Sequence, residues 1–427
     1  MMKQSVLKEK VLNDELNSRF YEVYGEKVNL NALKSRIVKL LDTYSSEFNP
    51  NDEVGLFSGA GRTEIGGNHT DHQHGKVLAG AIDLDAIACA GKNNSNIVCI
   101  KSEGYPDVSV DINDLSVKQD EKETSTALVR GVASKIKEMG FTVCGFNAVI
   151  NSTVLGGSGL SSSACYEVLI GVIFNNLFCD DKLTQVQIAQ IGQYAENVYF
   201  GKPCGLMDQL ASSVGGMVSI DFADPENPIV KKIDYDFAKS GYSLCIIDSG
   251  ADHADLTDEY AAIPNEMRSV CEYFSKDYLR DVDEDKFFSE IANIRKKTGD
   301  RAVVRAIHFF NDNKNVSKQT ELLENKDFEG FLKYVTLSGH SSAECLQNIY
   351  CNNHQDQQAV NITIQLAKRL LDGKGAVRVH GGGFAGTVQA YVPNGTEQEF
   401  KKGMESVLGE GCCHFLNIRP QGGVVLV

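Results

Sequence analysis

The sequence predicts an α+β fold built in two lobes. Strand-like and helix-like segments follow one another without the regular βαβ alternation of a doubly wound sheet. The 427 residues exceed what one hydrophobic core usually serves. A hydrophobic fraction of 42% with 23% charged residues is that of a globular chain.

The elements read in order as follows. Residues 1–50 form a helical leader, with apolar positions at helical spacing in "LNALKSRIVKLL" and punctuation at "NPND". "EVGLFSGAG", "GKVLAGAIDLDAIACA", "SNIVCIKSE" and "DVSVDI" are strands, rich in Val, Ile, Leu and Ala. "STALVRGVASKIKEM" is an amphipathic helix stopped at Gly140, and "FTVCGFNAVI" is a strand. "SSACYEVLIGVIFNNLF" is apolar on most sides, hence a buried helix. "TQVQIAQIGQYAENVYF" is one further helix, and "GMVSIDF" and "YSLCIID" are strands. Residues from about 254 to 371 are mostly helical with charged faces. "AVRVHGGGFAGTVQAYVP" is strand, Gly loop, strand, followed by a helix near 396–407 and a terminal "GGVVLV" strand. This divides the chain into the leader, a first lobe at 51–222 and a second at 223–427.

A formal charge of −15 argues against a nucleic-acid or acidic-membrane partner. It leaves room for a phosphate ligand, because helix ends, a few basic residues and a metal ion can build that site locally. Twelve scattered cysteines without CxxC, and a charged start with no apolar signal segment, predict reduced thiols and a cytoplasmic location. No run approaches a membrane span. The sequence leaves the oligomeric state open.

Two segments carry local chemistry. In "LGGSGLSSSAC", Leu155 to Cys165, glycines permit close backbone approach and serines stand where a helix should start, able to cap it. A helix N-terminus there attracts phosphate. Neither GxxxxGK[ST] nor GxGxxG is present, since Ser162 occupies the third glycine position. "GGNHTDHQHG", Gly66 to Gly75, holds three of the nine histidines and resembles a metal site by composition. On a strand His69, Asp71 and Gln73 share one face and His72 and His74 the other, so the histidines do not converge. A metal hydrolase is therefore disfavoured.

Four segments in order make a wider signature. "GAGRTEIGGNHTDHQHGKVLAGAID" resembles the galactokinase signature Gly-Arg-x-Asn-x-x-Gly-Glu-His-Thr-Asp-Tyr. "LGGSGLSSSAC" is similar to the nucleotide motif of the galactose, homoserine, mevalonate and phosphomevalonate (GHMP) kinase superfamily, and "VRVHGGGFAGTVQAYV" to its third, glycine-rich motif. "GKPCGLMDQLAS" is close to the galactokinase segment that carries the catalytic aspartate. The resemblance runs from about residue 55 to the end. It implies the two-lobed GHMP kinase fold, with mixed and antiparallel sheets and a site in the cleft between lobes. It also implies ATP as co-substrate with Mg²⁺, and transfer of phosphate to a sugar's anomeric hydroxyl.

The same resemblance implies the residues. Asp208 orients the anomeric hydroxyl and Arg62 lies beside it. Asn68, His69, Asp71, Gly205 and Tyr260 fall on sugar-side positions, Tyr260 with ordinary packing equally supported. Gly156, Gly157, Ser158, Gly159, Leu160, Ser161, Ser162 and Ser163 form the nucleotide turn, with Ser163 and Glu196 on the metal side. Gly382, Gly383 and Gly386 close the third motif near phosphates and sugar.

The departures lie in the sugar signature. Glu64 stands for Asn, Asn68 for a Glu that contacts the sugar's far-end hydroxyl, and His72 for Tyr. Asp252 falls near a position usually held by arginine. Galactose is the first expectation. N-acetylgalactosamine or galacturonate is the alternative, as is a sugar sensor without catalysis. The intact "GLSSSA" and Asp208 speak against the sensor.

Overall fold

The structure is a computed structural model that describes residues 1–154, 159–251, 256–351 and 355–427. The fold is α+β, organised on two sheets. In the first, the strands Met2–Lys3, Glu53–Gly66, Lys76–Lys92, Phe146–Ser152, Ile97–Ser102 and Val108–Asp111 lie side by side in that order. Met217–Asp221 pairs with Lys76–Lys92 and with Ile229–Ile233, and Val424–Val425 returns to Glu53–Gly66. All these pairings are antiparallel except Ile97–Ser102 with Phe146–Ser152. The second sheet, Ala376–Val379, Thr387–Pro393, Tyr242–Asp248 and Cys413–Leu416, is antiparallel throughout.

Side-chain alternation explains why the first sheet carries a layer on each face. Leu56, Cys89 and Val149 form one row across three paired strands, and Phe57, Ala88 and Ile150 form the next. The first row packs on the leader, whose helices Gln4–Leu12, Asn17–Tyr24 and Leu30–Glu47 contribute Leu7, Phe20, Ile37 and Leu41. The second row packs under Ser125–Glu138 and Ser162–Phe178, through Leu128, Val132, Leu169 and Phe174. Gly59 makes the approach of Ser162–Phe178 possible, because a Cβ there would collide with the Cys165 carbonyl and Leu169. That second core continues into the other sheet through Leu244, Ile246 and Tyr391.

The leader is therefore a structural layer, and a buried ion cluster fastens it. Asp85 and Arg419 are fully enclosed and paired at 3.1 Å. Tyr24 Oη and Ser58 Oγ each donate to Asp85 Oδ2 at 2.5 Å, and Arg36 Nη1 donates to Oδ1 at 2.5 Å. Burial raises the Asp85 pKa, but Arg36 and Arg419 outweigh it and hold it below the ordinary aspartate value.

Several expectations are refined. The helix expected over 184–200 is α-helical over Gln185–Tyr194 and widens to a π-helix over Ala195–Phe200. The strand expected over 141–150 is Phe146–Ser152, and the terminal strand is confined to Val424–Val425. Among the described residues, no helix is long and apolar enough to cross a membrane.

Candidate active site between two cavities

Strand Glu53–Gly66 delivers Arg62, and helix Met207–Val214 delivers Asp208 in its first turn. The two form a fork-to-fork pair: Arg62 Nε donates to Asp208 Oδ1 at 2.7 Å and Nη2 to Oδ2 at 2.8 Å. Arg62 Nη1 donates to the Gly159 carbonyl at 2.5 Å, and the Arg62 N–H to the Leu160 carbonyl at 3.3 Å. One guanidinium thus binds the serine turn and the aspartate together. Arg62 is almost enclosed at 8% side-chain exposure, whereas Asp208 keeps 32% open to the cavity. Burial raises the Asp208 pKa, but Arg62 and Ser161 outweigh it, so the carboxyl sits below the ordinary aspartate value and is ionised at neutral pH.

The serine turn does not cap as expected. Ser161 occupies the N-cap of Ser162–Phe178 with a left-handed φ of 56°, and its side chain makes no cap hydrogen bond. Its hydroxyl instead donates to Asp208. A non-glycine residue held at positive φ beside the site is the kind of local strain that surrounding contacts must maintain. Gly156, Gly157 and Ser158 lie outside the described residues, as does Asp252.

The turn lines one cavity and, through Ser161 and Asp208, is bonded to the lining of a second. Ser162 and Ser163 line a cavity of about 190 Å³ whose other sides include Tyr105, Pro106, Leu128, Val154 and Tyr166. Asp208 and Arg62 line a polar cavity of about 300 Å³ together with Glu64, Asn68, His69, Asp71, His72, Lys202, Gly205, Gly381 and Gly382. A largely apolar cavity suits a heterocyclic base, and a basin of carboxylates, imidazoles and amides suits a polyol.

Ser163 Oγ donates to Glu196 Oε1 at 3.1 Å. Glu196 lies on the π-helix and is only 3% exposed, so it is not the solvated charge its helix position suggests. Lys202 Nζ is 4.0 Å from the same oxygen. Gln209 Nε2 donates to Glu196 Oε2 at 2.9 Å and to Glu167 Oε2 at 3.0 Å. Burial, then the neighbouring Glu196 charge, raise the Glu167 pKa well above the ordinary value. Sequence reasoning missed Glu167 and Gln209. The available signal was a lone acidic residue in the otherwise apolar "SSACYEVLIGVIFNNLF".

The histidine cluster separates. Asp71–Gln73 is a single 3₁₀ turn. His69 Nε2 donates to the Gly382 carbonyl at 2.9 Å, and burial pushes its pKa down to about 4, so it is neutral at working pH. His72 is exposed on the rim of the polar cavity, and His74 stacks on Tyr278 with ring centroids 3.5 Å apart. Gly205 lies against Asp71: a Cβ there would collide with Asp71 Oδ2. Gly205→Ala should displace that carboxylate and raise the substrate KM roughly tenfold to a hundredfold, with the melting temperature little changed. An unaltered KM would remove Asp71 from substrate contact.

Two expected sugar-side residues are engaged by the protein itself. Tyr260 stands behind the glycine loop, its hydroxyl donating to the Gly383 carbonyl at 2.9 Å and its ring packed edge-on against Phe384; it does not line the polar cavity. Asn68 is at the wall but fully enclosed at 0% exposure. Its Nδ2 donates to Glu64 Oε1 at 3.0 Å and to the Gly381 carbonyl at 2.7 Å, and its Oδ1 accepts from Asn348 Nδ2 at 2.7 Å. In the third motif Gly382 lines the polar cavity. Gly383 sits at φ 82° against Asn348, where a Cβ would clash, and Gly386 lies off the wall, its carbonyl accepting from Ser249.

Comparison with known proteins agrees with this geometry. Residues 127–216, which include the serine turn and Asp208, match the GHMP kinases N terminal domain. Residues 42–92, which include Arg62 and the histidine cluster, match the galactokinase galactose-binding signature. The chain thus carries a GHMP kinases N terminal domain and a galactokinase galactose-binding signature. It is 28% identical over 344 residues to a galactokinase of Streptomyces coelicolor, covering 79% of this chain and 84% of that one. It is 28% identical over 388 residues to a galactokinase of Clostridium tetani, covering 88% and 91%. The fold is shared with the crystal structure of Lactococcus lactis galactokinase complexed with galactose, at a TM-score of 0.76 and 21% identity over 90% of this chain and 98% of that one. It is shared more distantly with L. major mevalonate kinase, at a TM-score of 0.60 and 13% identity over 87% and 98%.

Proposed function

We propose that this protein is a galactokinase that transfers the γ-phosphate of ATP to the anomeric hydroxyl of D-galactose. The observation that carries the reading is the serine turn set between the apolar cavity and the Arg62–Asp208 pair of the polar one. Ser161 points to Asp208 in the polar cavity, while Ser162 and Ser163 line the apolar one. A nucleotide seated along the turn and a sugar in the polar basin would meet at Asp208.

Phosphoryl transfer asks the protein chiefly for positioning and charge neutralisation. Asp208 is ionised and accepts a hydrogen bond from the sugar hydroxyl, aiming its oxygen across the turn. The lowered pKa makes Asp208 a weak base in the ground state. Proton transfer therefore accompanies the bonding of oxygen to phosphorus rather than preceding it. Arg62 fixes both carboxylate oxygens and adds positive charge where the alkoxide develops. Neutral His69, its Nε2–H already given to Gly382, offers Nδ1 as an acceptor, and Asp71 offers carboxylate oxygens, so both accept from ring hydroxyls.

Ser163 Oγ and Glu196 Oε1, 3.1 Å apart, supply hard oxygens that fit Mg²⁺ completed by water and nucleotide phosphates. Bound Mg²⁺ would neutralise phosphate charge. Gln209, donating to Glu196 and to Glu167, keeps Glu196 oriented. Glu196→Gln should raise the Mg²⁺ concentration needed for half-maximal rate roughly tenfold or more, with the galactose KM little changed. An unshifted Mg²⁺ requirement would remove Glu196 from the metal.

The test is an ADP-release assay with ATP and Mg²⁺ over a panel of galacto-, gluco- and arabino-sugars. Release dependent on galactose is expected. Release that ignores every sugar would refute the reading.

A further inference from the structure

The Glu64 and Asn68 departures form a reciprocal exchange of carboxylate and amide, and the structure places the two side chains in contact. Asn68 Nδ2 donates to Glu64 Oε1 at 3.0 Å. Asn68 has both amide N–H groups and its carbonyl oxygen engaged by the protein, so it has nothing left to offer a ligand. Glu64 is different. Its Oε1 takes both internal bonds, from Asn68 and from Arg378 Nη2 at 2.6 Å. Its Oε2 has no partner among the described residues, and it is not sealed in, since Glu64 lines the polar cavity.

Strand geometry fixes where this oxygen stands. Arg62, Thr63 and Glu64 pair in unbroken register with Ala81, Gly80 and Ala79. Arg62 and Glu64 therefore share a face, about 7 Å apart along the strand. Arg62 holds Asp208, the group at the reacting end. Glu64 is displaced from it by the span of a pyranose ring.

We propose that Glu64, through its open Oε2, is the specificity-determining group that reads hydroxyls at the end of the sugar ring away from the anomeric carbon, with Asn68 as the positioning residue that holds it. The inference rests on the sugar-kinase reading above. A carboxylate there accepts from hydroxyl groups and repels another carboxylate. The pocket thus selects a neutral hexose over a hexuronate. Burial pushes the Glu64 carboxyl up to about 6, with Asp312 and Asp71 adding to it and Arg378 and Arg62 opposing it, so it is mainly anionic at neutral pH.

The experiment compares wild type with Glu64→Gln on D-galactose, 4-deoxy-galactose, 6-deoxy-galactose and D-galacturonate at pH 7.5. In wild type, kcat/KM should fall about tenfold to a hundredfold on removing at least one of the two hydroxyls, through KM rather than kcat. Galacturonate should be poorer still. In E64Q that deoxy penalty should shrink by about tenfold, and galacturonate should gain relative to galactose, a change that loss of folding cannot produce. Wild type that uses both deoxy sugars as well as galactose would overturn the proposal without any variant. So would an E64Q that slows every sugar by the same factor. If E64Q melts too low to assay, Glu64→Asp should still compress the deoxy penalty, and an unchanged penalty there refutes the proposal. Absence of turnover on galactose itself would refute the kinase reading, and this inference with it. Normal turnover with an unaltered selectivity pattern would refute this inference alone.

Discussion

Replacing Asp208 by asparagine will lower kcat about 10²- to 10⁴-fold while the galactose KM changes far less. Asparagine is nearly the same size, so the packing around the serine turn stays in place. It loses the charge that orients the hydroxyl and accepts its proton, and it leaves the enclosed Arg62 with half of its fork facing an amide N–H instead of an oxygen. Because the loss falls on the transition state, kcat and kcat/KM should drop together. Steady-state kinetics, with calorimetric binding of galactose as control, separates this from a failure to bind. An Asp208→Asn enzyme within threefold of wild-type kcat would remove Asp208 from the chemistry.

The second large effect is on stability. Replacing Asp85 by asparagine leaves Arg419, at 0% exposure, with its charge uncompensated. Breaking a buried pair in this way costs about 3–5 kcal/mol. Urea unfolding measures it, and a loss under about 1 kcal/mol would show that the cluster is not what fastens the leader. The acid side gives a second readout. Because the Asp85 pKa is lowered on folding, its contribution is full above the unfolded value of about 3.9 and is lost as pH falls through the lower folded value. Asp85→Asn should therefore flatten the acid limb of the stability profile.

The parts of the site that the sequence exposes are those fixed by short local motifs. Arg62 and Asp208 are legible through the family resemblance of their segments, the serines also through the glycines and helix start around them, and the structure joins them directly. What stays hidden depends on long-range placement. Glu167 and Gln209 are ordinary helix residues until two helices set them beside Glu196. Asn68 carries the signature position of a sugar contact, yet Asn348 and Gly381, some 300 residues away, consume its amide. The π-helix that carries Glu196 leaves no mark in helical periodicity. The leader reads only as helical, and its function as a sheet-covering layer follows from Leu56, Cys89 and Val149 sharing a row. Strand Ile229–Ile233 escapes because "IVKKI" is short, charged and at the sheet edge.

Phosphoryl transfer to the anomeric oxygen across the serine turn is read directly by phosphorus NMR of the product formed from ATP, Mg²⁺ and D-galactose by the purified protein. One new phosphomonoester is expected, its phosphorus coupled to the anomeric proton and its amount equal to that of ADP. Phosphate attached at another carbon, or free inorganic phosphate released without a sugar ester, would contradict it.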